Sequence, residues 1–323
     1  MSYTPAFETV EAGMQTVWGT AVTPTAKLSL IEECEIEPIQ ESEVIPELRG
    51  TLAGNYTASL NKGGGEASLK GALCYEDIGY YLDSILVKNV APTGAGPYVY
   101  LRDAPLSSIP ARRLFTLVKG NSTNYSYGLN SGIINELNIK IESNQLWMFD
   151  AKLVGQKVAE LALAGMSDRT ATPIHANNTS LWIDTWAGTI GSTAISDAWF
   201  SAELQIKSNS DVVPTIGNQY PISYRDAIYE ASLKLKIEVA TATKAFMTAL
   251  LGTTVTQKQI RIKGTTGATA IAQLDFAGTF KNAPKVEDEN GVSSFEFELF
   301  HTYNPTLANW LKTSVTTSVA VLP

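Results

Sequence analysis

The chain has 323 residues, of which 44% are apolar and only 17% are charged, and its formal net charge is −8. This length allows two domains of ordinary size, each able to bury a core. The acidic balance excludes tight, indiscriminate binding of nucleic acid, which needs a basic surface. Low charge content with abundant Thr, Ser, Asn and Gly is typical of β-rich proteins whose surfaces are contacted by neighbours.

The N-terminal stretch MSYTPAFETVEAGMQTVWGT has neither a basic start nor an apolar run, so we expect no signal peptide. No segment approaches the roughly 20 apolar residues of a membrane span. The two cysteines, Cys34 and Cys74, form no metal motif. They could pair, but two free thiols in a protein made in the cytosol are the simpler interpretation.

One pattern occurs twice, at a spacing of 164 residues. The segments Glu66–Leu86 and Glu230–Leu251 both begin with EASLK, and in both an alternation of apolar and polar residues gives way to helical spacing. The alternation predicts an antiparallel strand with one wet face, and the second period predicts a short helix. Asp77 could cap the first helix, and Thr241 or Thr243 the second. The same order of patterns at one offset indicates a duplicated unit.

Around the first copy, residues 27–39 alternate as a first strand or pair of strands. We expect residues 40–65 to form a projecting hairpin or lid, because a structureless loop of that length is uncommon unless it has a role. Residues 132–142 and 147–153 alternate on either side of a tight turn and predict a β-hairpin. We predict a helical turn over Val158–Leu163, in the polar segment that joins the two copies.

The second copy repeats this order. Phe200–Ile206 predicts the first strand, and residues 208–226 are the shorter counterpart of the 40–65 loop. Leu274–Phe280 and Phe295–Leu299 predict a closing hairpin joined through an Asn290–Gly291 turn. A short helix is predicted near Leu307–Leu311.

The predicted fold class is mainly β: two tandem, similar domains, each a β-sandwich or half-barrel unit with one flanking α-helix. The predicted boundaries are an N-terminal arm at 1–26, a first β domain at 27–158 with its projecting loop at 40–65, a linker at 159–198, a second β domain at 199–303 and a C-terminal tail at 304–323.

No catalytic or metal-binding motif is present, so we expect no enzyme, no cofactor and no metal. Acidic pairs such as Glu76–Asp77 could serve a glycosidase, but solvated turns and helix starts explain them more simply. An alternative function is a baseplate or carbohydrate-binding β-sandwich module, in which Trp182, Trp186 and Trp199 would stack on sugars.

Three stretches carry a resemblance to a known family: WGTAVTPTAKLSL (Trp18–Leu30), ELRGTLAGNY (Glu47–Tyr56) and ASLKGALCYEDIGYYLDSIL (Ala67–Leu86). They resemble the tail tube, or major tail, proteins of long flexible-tailed phages. The resemblance implies a structural virion protein that stacks as rings into a hollow tube, through which genomic DNA is ejected into the host. Rings of this family show six β-units, so a doubled unit implies rings of three chains. The alternative is six chains, with one copy decorating the outside.

The resemblance also implies partners and a location. The partners are the chain itself, the tape measure protein, the tail-tip and tail terminator proteins, and DNA in transient, non-specific passage, with no membrane. The location is the phage tail of the virion, after synthesis in the host cytoplasm.

Two sets of site residues follow from the resemblance. A channel wall that does not hold phosphates must be neutral or acidic, and the polar faces of the predicted hairpins meet this requirement. The alternative is that solvent or another sheet covers these faces. A basic stripe of Lys70 and Lys234 on the channel side would count against the assignment. The candidate channel-lining residues are Glu136, Asn138, Lys140, Glu142, Asp150, Lys152, Asp275, Glu296 and Glu298. The candidate contacts between rings are Glu47, Leu48, Arg49, Leu52, Asn55, Tyr56 and Trp18.

Overall fold

A computed structural model describes residues 8–46, 55–88, 92–94, 96–106, 112–121, 125–195, 198–240, 243–244, 248, 255–281, 285–289 and 291–319. Most of these residues lie in strands, which confirms the mainly β fold class. The first half holds β1 (Thr9–Gln15), β2 (Ala26–Lys27), β3 (Ile31–Pro46), β4 (Asn55–Ala72), β5 (Val87–Lys88), β6 (Tyr98–Asp103), β7 (Leu114–Asn121), β8 (Tyr125–Glu142), β9 (Met148–Gly155) and β10 (Lys157–Glu160). The second half holds β11 (Thr179–Thr185), β12 (Ala194–Ile195), β13 (Trp199–Lys207), β14 (Asp211–Val213), β15 (Ser223–Arg225), β16 (Glu230–Glu238), β17 (Gln257–Thr266), β18 (Ala270–Phe280), β19 (Lys285–Glu289), β20 (Val292–His301) and β21 (Leu311–Thr317).

Eight strands form one antiparallel array in the order β3–β4–β9–β8–β13–β16–β20–β19, which we call the main sheet. Its strands alternate, as the sequence predicts. In β16, Ala231, Leu233 and Leu235 are buried, while the residues between them are exposed or half-buried. Because successive side chains of a strand point to opposite faces, the sheet has one apolar face and one polar face.

Two further groups of strands join the main sheet. Strands β2, β1, β7 and β10 associate with the N-terminal part of β8, and β12, β11, β17, β21, β6 and β5 extend from β18. A single hydrophobic cluster contains residues of the main sheet, of both further groups and of the helix α1 (Ile78–Ile85). The apolar face of the main sheet therefore packs against the hydrophobic core, and within the described chain no strand covers its polar face.

The first repeat forms the predicted strand and helix. Every residue of α1 is buried, and Tyr81 stacks on Phe149 of β9 with 4.4 Å between ring centroids. Asp77 occupies the N-cap position of this helix, as predicted, but its side chain makes no capping hydrogen bond. Its carboxylate instead accepts hydrogen bonds from the backbone N–H of Ser29, at 2.7 Å, and from the guanidinium of Arg169.

The second predicted helix, with Thr241 as one candidate cap, lies largely outside the described residues. Within the part that is described, the hydroxyl of Thr243 accepts a hydrogen bond from the backbone N–H of Ala240 at 2.8 Å. The backbone N–H of Lys244 also donates to the carbonyl of Ala240, at 2.9 Å. These contacts agree with a turn at Thr243 but leave the helix itself a prediction.

Three local predictions need correction. Val158–Leu163 is not a helical turn, since β10 occupies its first residues and pairs with β8. Leu307–Leu311 is a turn that leads into β21 and not a helix. The predicted hairpin of Leu274–Phe280 with Phe295–Leu299 is not joined directly. Gly291 lies between β19 and β20, and among the described residues β18 pairs with β20 only at Gly278–Phe280. In each case a tertiary strand partner decides the local conformation, which short-range propensity cannot anticipate.

The two halves are joined by backbone pairing. Strand β8 of the first half pairs with β13 of the second from Ser201↔Glu142 to Lys207↔Glu136. Strand β21, in the predicted C-terminal tail, pairs with β6 of the first half as well as with β18. The division into separate domains at 27–158 and 199–303 stays a prediction.

Candidate functional site: the polar face of the main sheet

Residues directly opposite each other in an antiparallel pair share a face, so the pairing registers define rows of side chains across the sheet. One row runs Glu33, Lys70, Asp150, Asn138, Gln205, Ser232, Phe300. A second runs Lys140, Glu203, Lys234, Glu298, and a third runs Glu142, Ser201, Lys236, Glu296, Lys285. The polar face is thus an ordered mosaic of acids, lysines and amides that spans both halves of the chain.

Each lysine on this face lies within ion-pair distance of a carboxylate. The Nζ–Oε distances are 2.8 Å for Lys70–Glu33, 2.6 Å for Lys140–Glu142, 3.0 Å for Lys152–Glu136, 3.5 Å for Lys207–Glu136, 3.8 Å for Lys234–Glu203, 3.2 Å for Lys281–Glu298 and 2.8 Å for Lys285–Glu287. Lys236 pairs with Glu289 and lies 3.8 Å from Glu287. Lys70 and Lys234 therefore do not form an unpaired basic stripe, because each lies beside a carboxylate, that of Glu33 and that of Glu203.

Hydrogen bonding holds these pairs in their charged forms. Donation to a carboxylate raises the pKa of five of the lysines: Lys70 through Glu33, Lys140 through Glu142, Lys152 through Glu136, Lys236 through Glu289 and Lys285 through Glu287. Burial acts to raise the pKa of Glu136, but the hydrogen bonds and positive charges of Lys152 and Lys207 together outweigh burial and lower that pKa. At neutral pH the face therefore presents fixed ion pairs together with unpaired carboxylates.

Two acids on β3 add negative charge to this balance. Glu35 and Glu37 are exposed and make no side-chain hydrogen bond or ion pair with the described residues. Because the lysines are already matched, these extra carboxylates give the face a net negative character.

The structure brings together eight of the nine candidate channel-lining residues. Glu136, Asn138, Lys140 and Glu142 lie on β8, Asp150 and Lys152 on β9, and Glu296 and Glu298 on β20, all on the polar face. Asp275 lies apart on β18, opposite Arg261 of β17 and Lys312 of β21. Arg261 holds it with two hydrogen bonds of 2.7 Å, so this buried carboxylate has a partner within its own layer.

Several members of the face were missed from the sequence: Glu33, Glu203, Gln205 and Lys207. The alternation of β13 was a usable signal for three of them. Only the pairing of β13 with β8 and β16 shows that they continue the same rows.

The candidate ring-to-ring contacts are placed only in part. Glu47, Leu48, Arg49 and Leu52 lie outside the described residues. Asn55 and Tyr56 begin β4, and the backbone of Asn55 is paired with Pro46. Trp18 is half-buried within its own chain, where its indole N–H donates to the carbonyl of Pro221 at 3.1 Å and its ring lies 5.6 Å from that of Tyr224.

The long hairpin and its shorter counterpart touch each other. Strands β3 and β4 continue past the last pair that β4 shares with β9, Gly65↔Gly155, and beyond it they pair only with one another among the described residues. Strands β14 and β15 form the short counterpart. The backbone N–H of Gly63 donates to the carbonyl of Gln219 at 2.9 Å, so the short hairpin supports the base of the long one.

The tryptophans of the linking segment do not converge. Trp182 and Trp199 line an open groove of about 620 Å³, but Trp186 does not line it.

Cys34 and Cys74 are free and buried. Burial raises the pKa of the Cys34 thiol to about 12. In the described part of the chain, no group of three or more His, Cys, Asp or Glu side chains is arranged to hold a metal ion. Among the same residues, no helix has the length and apolar character that a membrane crossing requires.

These features define a mainly β structural protein with a broad, charge-compensated sheet face and a projecting hairpin. A comparison with family models matches residues 9–304 to the phage tail tube protein family. The match covers most of the chain, so the chain belongs to the phage tail tube protein family and is a structural component of a phage tail. No curated protein matches the sequence.

Proposed function

We propose that this chain assembles into rings of three copies, that the rings stack into the tail tube, and that genomic DNA leaves through the channel. The duplication supports the count of three. Each half supplies four neighbouring strands of the main sheet: β3, β4, β9 and β8 from the first, and β13, β16, β20 and β19 from the second. Three chains then supply six such units. The tape measure protein would fill the channel before ejection, and tail-tip and terminator proteins would close the ends.

The polar face is the wall of the channel in this proposal. The observation that carries it is the pairing of every lysine on that face with a carboxylate, such as Lys70 with Glu33 at 2.8 Å. DNA can slide along a surface that neither binds its phosphates nor displaces its condensed counterions. Paired lysines with surplus carboxylates meet that condition, whereas unpaired lysines would bind the DNA backbone.

The long hairpin is the proposed contact between rings. Its strands extend beyond the main sheet from Pro38↔Gly65 to Pro46↔Asn55. At about 3.3 Å per residue, eight residues of strand reach roughly 26 Å past the sheet. This span suits an element that overlaps a neighbouring ring.

Electron microscopy and a charge reversal test the proposal together. We expect the purified chain to form striated hollow tubes by negative stain, and phage carrying Glu296→Lys with Glu298→Lys to build tails of normal length that eject DNA more slowly. The matched control is Glu160→Lys, which reverses an exposed charge on β10, away from the polar face. Monomers without tubes contradict the assembly, and unchanged ejection through intact double-variant tails contradicts the channel assignment.

The alternative of a baseplate or carbohydrate-binding module has less support. Its three tryptophans do not share one groove, since Trp186 stands apart from Trp182 and Trp199. Glycan binding by the purified chain, lost in Trp182→Ala, would favour it over the tube.

A further inference from the structure

We propose that Tyr220 of the short hairpin is a positioning residue that holds the long hairpin of the same chain in one direction before rings stack. The short hairpin of the second half is then a brace for the long hairpin of the first half. This role rests on the proposed function, in which the long hairpin reaches the neighbouring ring. A hairpin that is already held in place loses less conformational freedom when it binds, so a brace favours assembly.

The short hairpin contacts the long hairpin where the long hairpin leaves the main sheet. Gly63 lies two residues beyond Gly65, the last residue of β4 that pairs with β9, and is opposite Gln40 of β3. Its backbone N–H donates to the carbonyl of Gln219 at 2.9 Å. Past the end of β9, the short hairpin therefore takes the place of a neighbouring strand for β4.

The ring of Tyr220 fills the space in which a side chain at position 63 would lie. A Cβ added at Gly63 would come within 2.6 Å of Tyr220 Cε1 and 2.9 Å of Tyr220 Cδ1. The ring can therefore lie against the backbone of β4 only because residue 63 is glycine. Lys157 Nζ of β10 lies 5.7 Å from the centre of the same ring, within the range of a cation–π contact. Tyr220 thus contacts two strands of the first half.

The residue that follows Tyr220 is also held by the first half. The carbonyl of Pro221 accepts hydrogen bonds from Trp18 Nε1 at 3.1 Å and from Gln156 Nε2 at 3.2 Å. The ring of Trp18 also lies 5.6 Å from that of Tyr224 on β15. These contacts fix the backbone next to Tyr220, so its ring presents a steady surface to Gly63.

A buried ion pair fixes the base of the short hairpin to the first half. Arg112 Nη2 donates to Asp226 Oδ1 at 2.6 Å, and the two side chains are 0% and 5% exposed. The hydroxyl of Ser210 donates to the same oxygen at 2.9 Å, and the backbone N–H of Ser208 donates to the carbonyl of Asn135 at 2.8 Å. Because a buried charge is costly without its partner, this base resists opening. The short hairpin is held at its base and beside Tyr220, as a brace requires.

Two alanine substitutions one residue apart test the brace in the full-length chain. Gly63→Ala places a methyl group where the Tyr220 ring lies, so the ring or the hairpin must move and the contact is lost. Gly64→Ala is the matched control, because a Cβ there would lie 3.6 Å from its nearest neighbours, atoms of Ile39, at an ordinary contact distance. Both variants make the same chemical change in the same strand.

Hydrogen exchange and tube formation are the two measurements. Below the protein concentration at which tubes form, we expect Gly63→Ala to speed amide exchange at residues 41–46 and 55–62 about three- to tenfold. Tubes should still form, at a protein concentration higher by roughly the same factor. Gly64→Ala should change neither quantity, and thermal unfolding of both variants should stay near that of the unmodified chain, because the core is untouched.

Variants of Tyr220 show whether the effect passes through its ring. Tyr220→Phe keeps the ring and should behave as the unmodified chain, whereas Tyr220→Ala should reproduce the loss seen in Gly63→Ala. Adding Gly63→Ala to Tyr220→Ala should then change little, because the new methyl group no longer meets a ring.

The outcomes separate the brace from the proposed function. If Gly63→Ala exchanges no faster than Gly64→Ala, or acts in full when Tyr220 is already alanine, this inference is wrong and the proposed tube stands. Faster exchange with an unchanged concentration for tube formation would also contradict it, since the direction of the hairpin would then not limit stacking. If the unmodified chain forms neither rings nor tubes, the proposed function itself fails, whatever the exchange shows.

Discussion

The two halves of the chain keep the same inner strands and differ in nearly everything around them. β4 and β16 share EASLK, the same register with the preceding strand and the same Glu–Lys ion pair. Their surroundings diverge: the first half has a long hairpin, whereas the second has a short hairpin and carries β18 between β17 and β21. The part that repeats is the part that has to match its neighbour along one continuous sheet. The hairpins and the outer layers lie outside the rows that the two halves share, so they can differ between the halves.

The largest difference to test lies between the hairpins. Closing the long hairpin at the Gln40–Gly63 pair with a two-residue Asn-Gly turn removes its projecting part and keeps the contact of Gly63 with Gln219. We expect a folded chain, by circular dichroism and thermal unfolding, that forms no tubes by electron microscopy.

The matched change closes the short hairpin at the Val213–Ser223 pair. We expect this chain to form tubes, because in our proposal only the long hairpin reaches the next ring. Tubes from the chain that lacks the long hairpin would show that stacking uses another surface.

A smaller difference separates two arginine–carboxylate pairs in the outer layers. Arg102 of β6 and Asp83 of α1 are fully buried, and Arg102 also donates to the carbonyl of Gly79 at 3.1 Å. Burial lowers the pKa of Arg102. Replacing Arg102 with Leu leaves Asp83 without its countercharge in the core, which we expect to cost about 3–5 kcal/mol in the free energy of unfolding.

Arg261 is the comparison in the second half, because 23% of its side chain is exposed and Asp275 keeps a hydrogen bond from Gln273 at 3.0 Å. Arg261→Leu should cost about 1.5–3 kcal/mol. Denaturant titration of unassembled protein measures both variants. Equal losses would mean that the two pairs are alike in spite of their different burial.

The smallest expected effect concerns the ion pair of the first half. The hydrogen bond to Glu33 raises the pKa of Lys70, so the pair stabilises the fold below the ordinary pKa of lysine, and this contribution is lost as the pH rises through the raised value. Glu33→Gln should return the pKa of Lys70 toward its ordinary value in an NMR titration of unassembled protein. Its effect on stability should then fade at strongly alkaline pH. A Lys70 pKa that does not move would mean that the contact is not maintained in solution.

Much of the fold can be predicted from short-range pattern. The alternation in EASLK and the hairpin around Ser143–Gln145 appear as expected, and β3 pairs with β4 within the predicted 40–65 hairpin up to Pro46↔Asn55. The reason is that a strand with one solvent-exposed face alternates apolar and polar residues, and this alternation can be read from neighbouring residues. Eight candidate residues of the polar face were found in the same way. Asp275 fits the same alternation and lies elsewhere, because alternation assigns a face within a strand but not the layer to which the strand belongs.

The sequence alone therefore determined the class of fold and the polar character of one sheet face, since both are encoded by neighbours along the chain, and the duplication that it predicts stays a prediction. Only the tertiary structure decided that β8 joins β13, that β21 crosses to β6 and that each lysine of the face meets a carboxylate. Residues that meet in these contacts are far apart in sequence, and register between distant strands depends on the whole core. The same reason explains why the Asp77 side chain binds Arg169 and Ser29 and makes no capping hydrogen bond to α1.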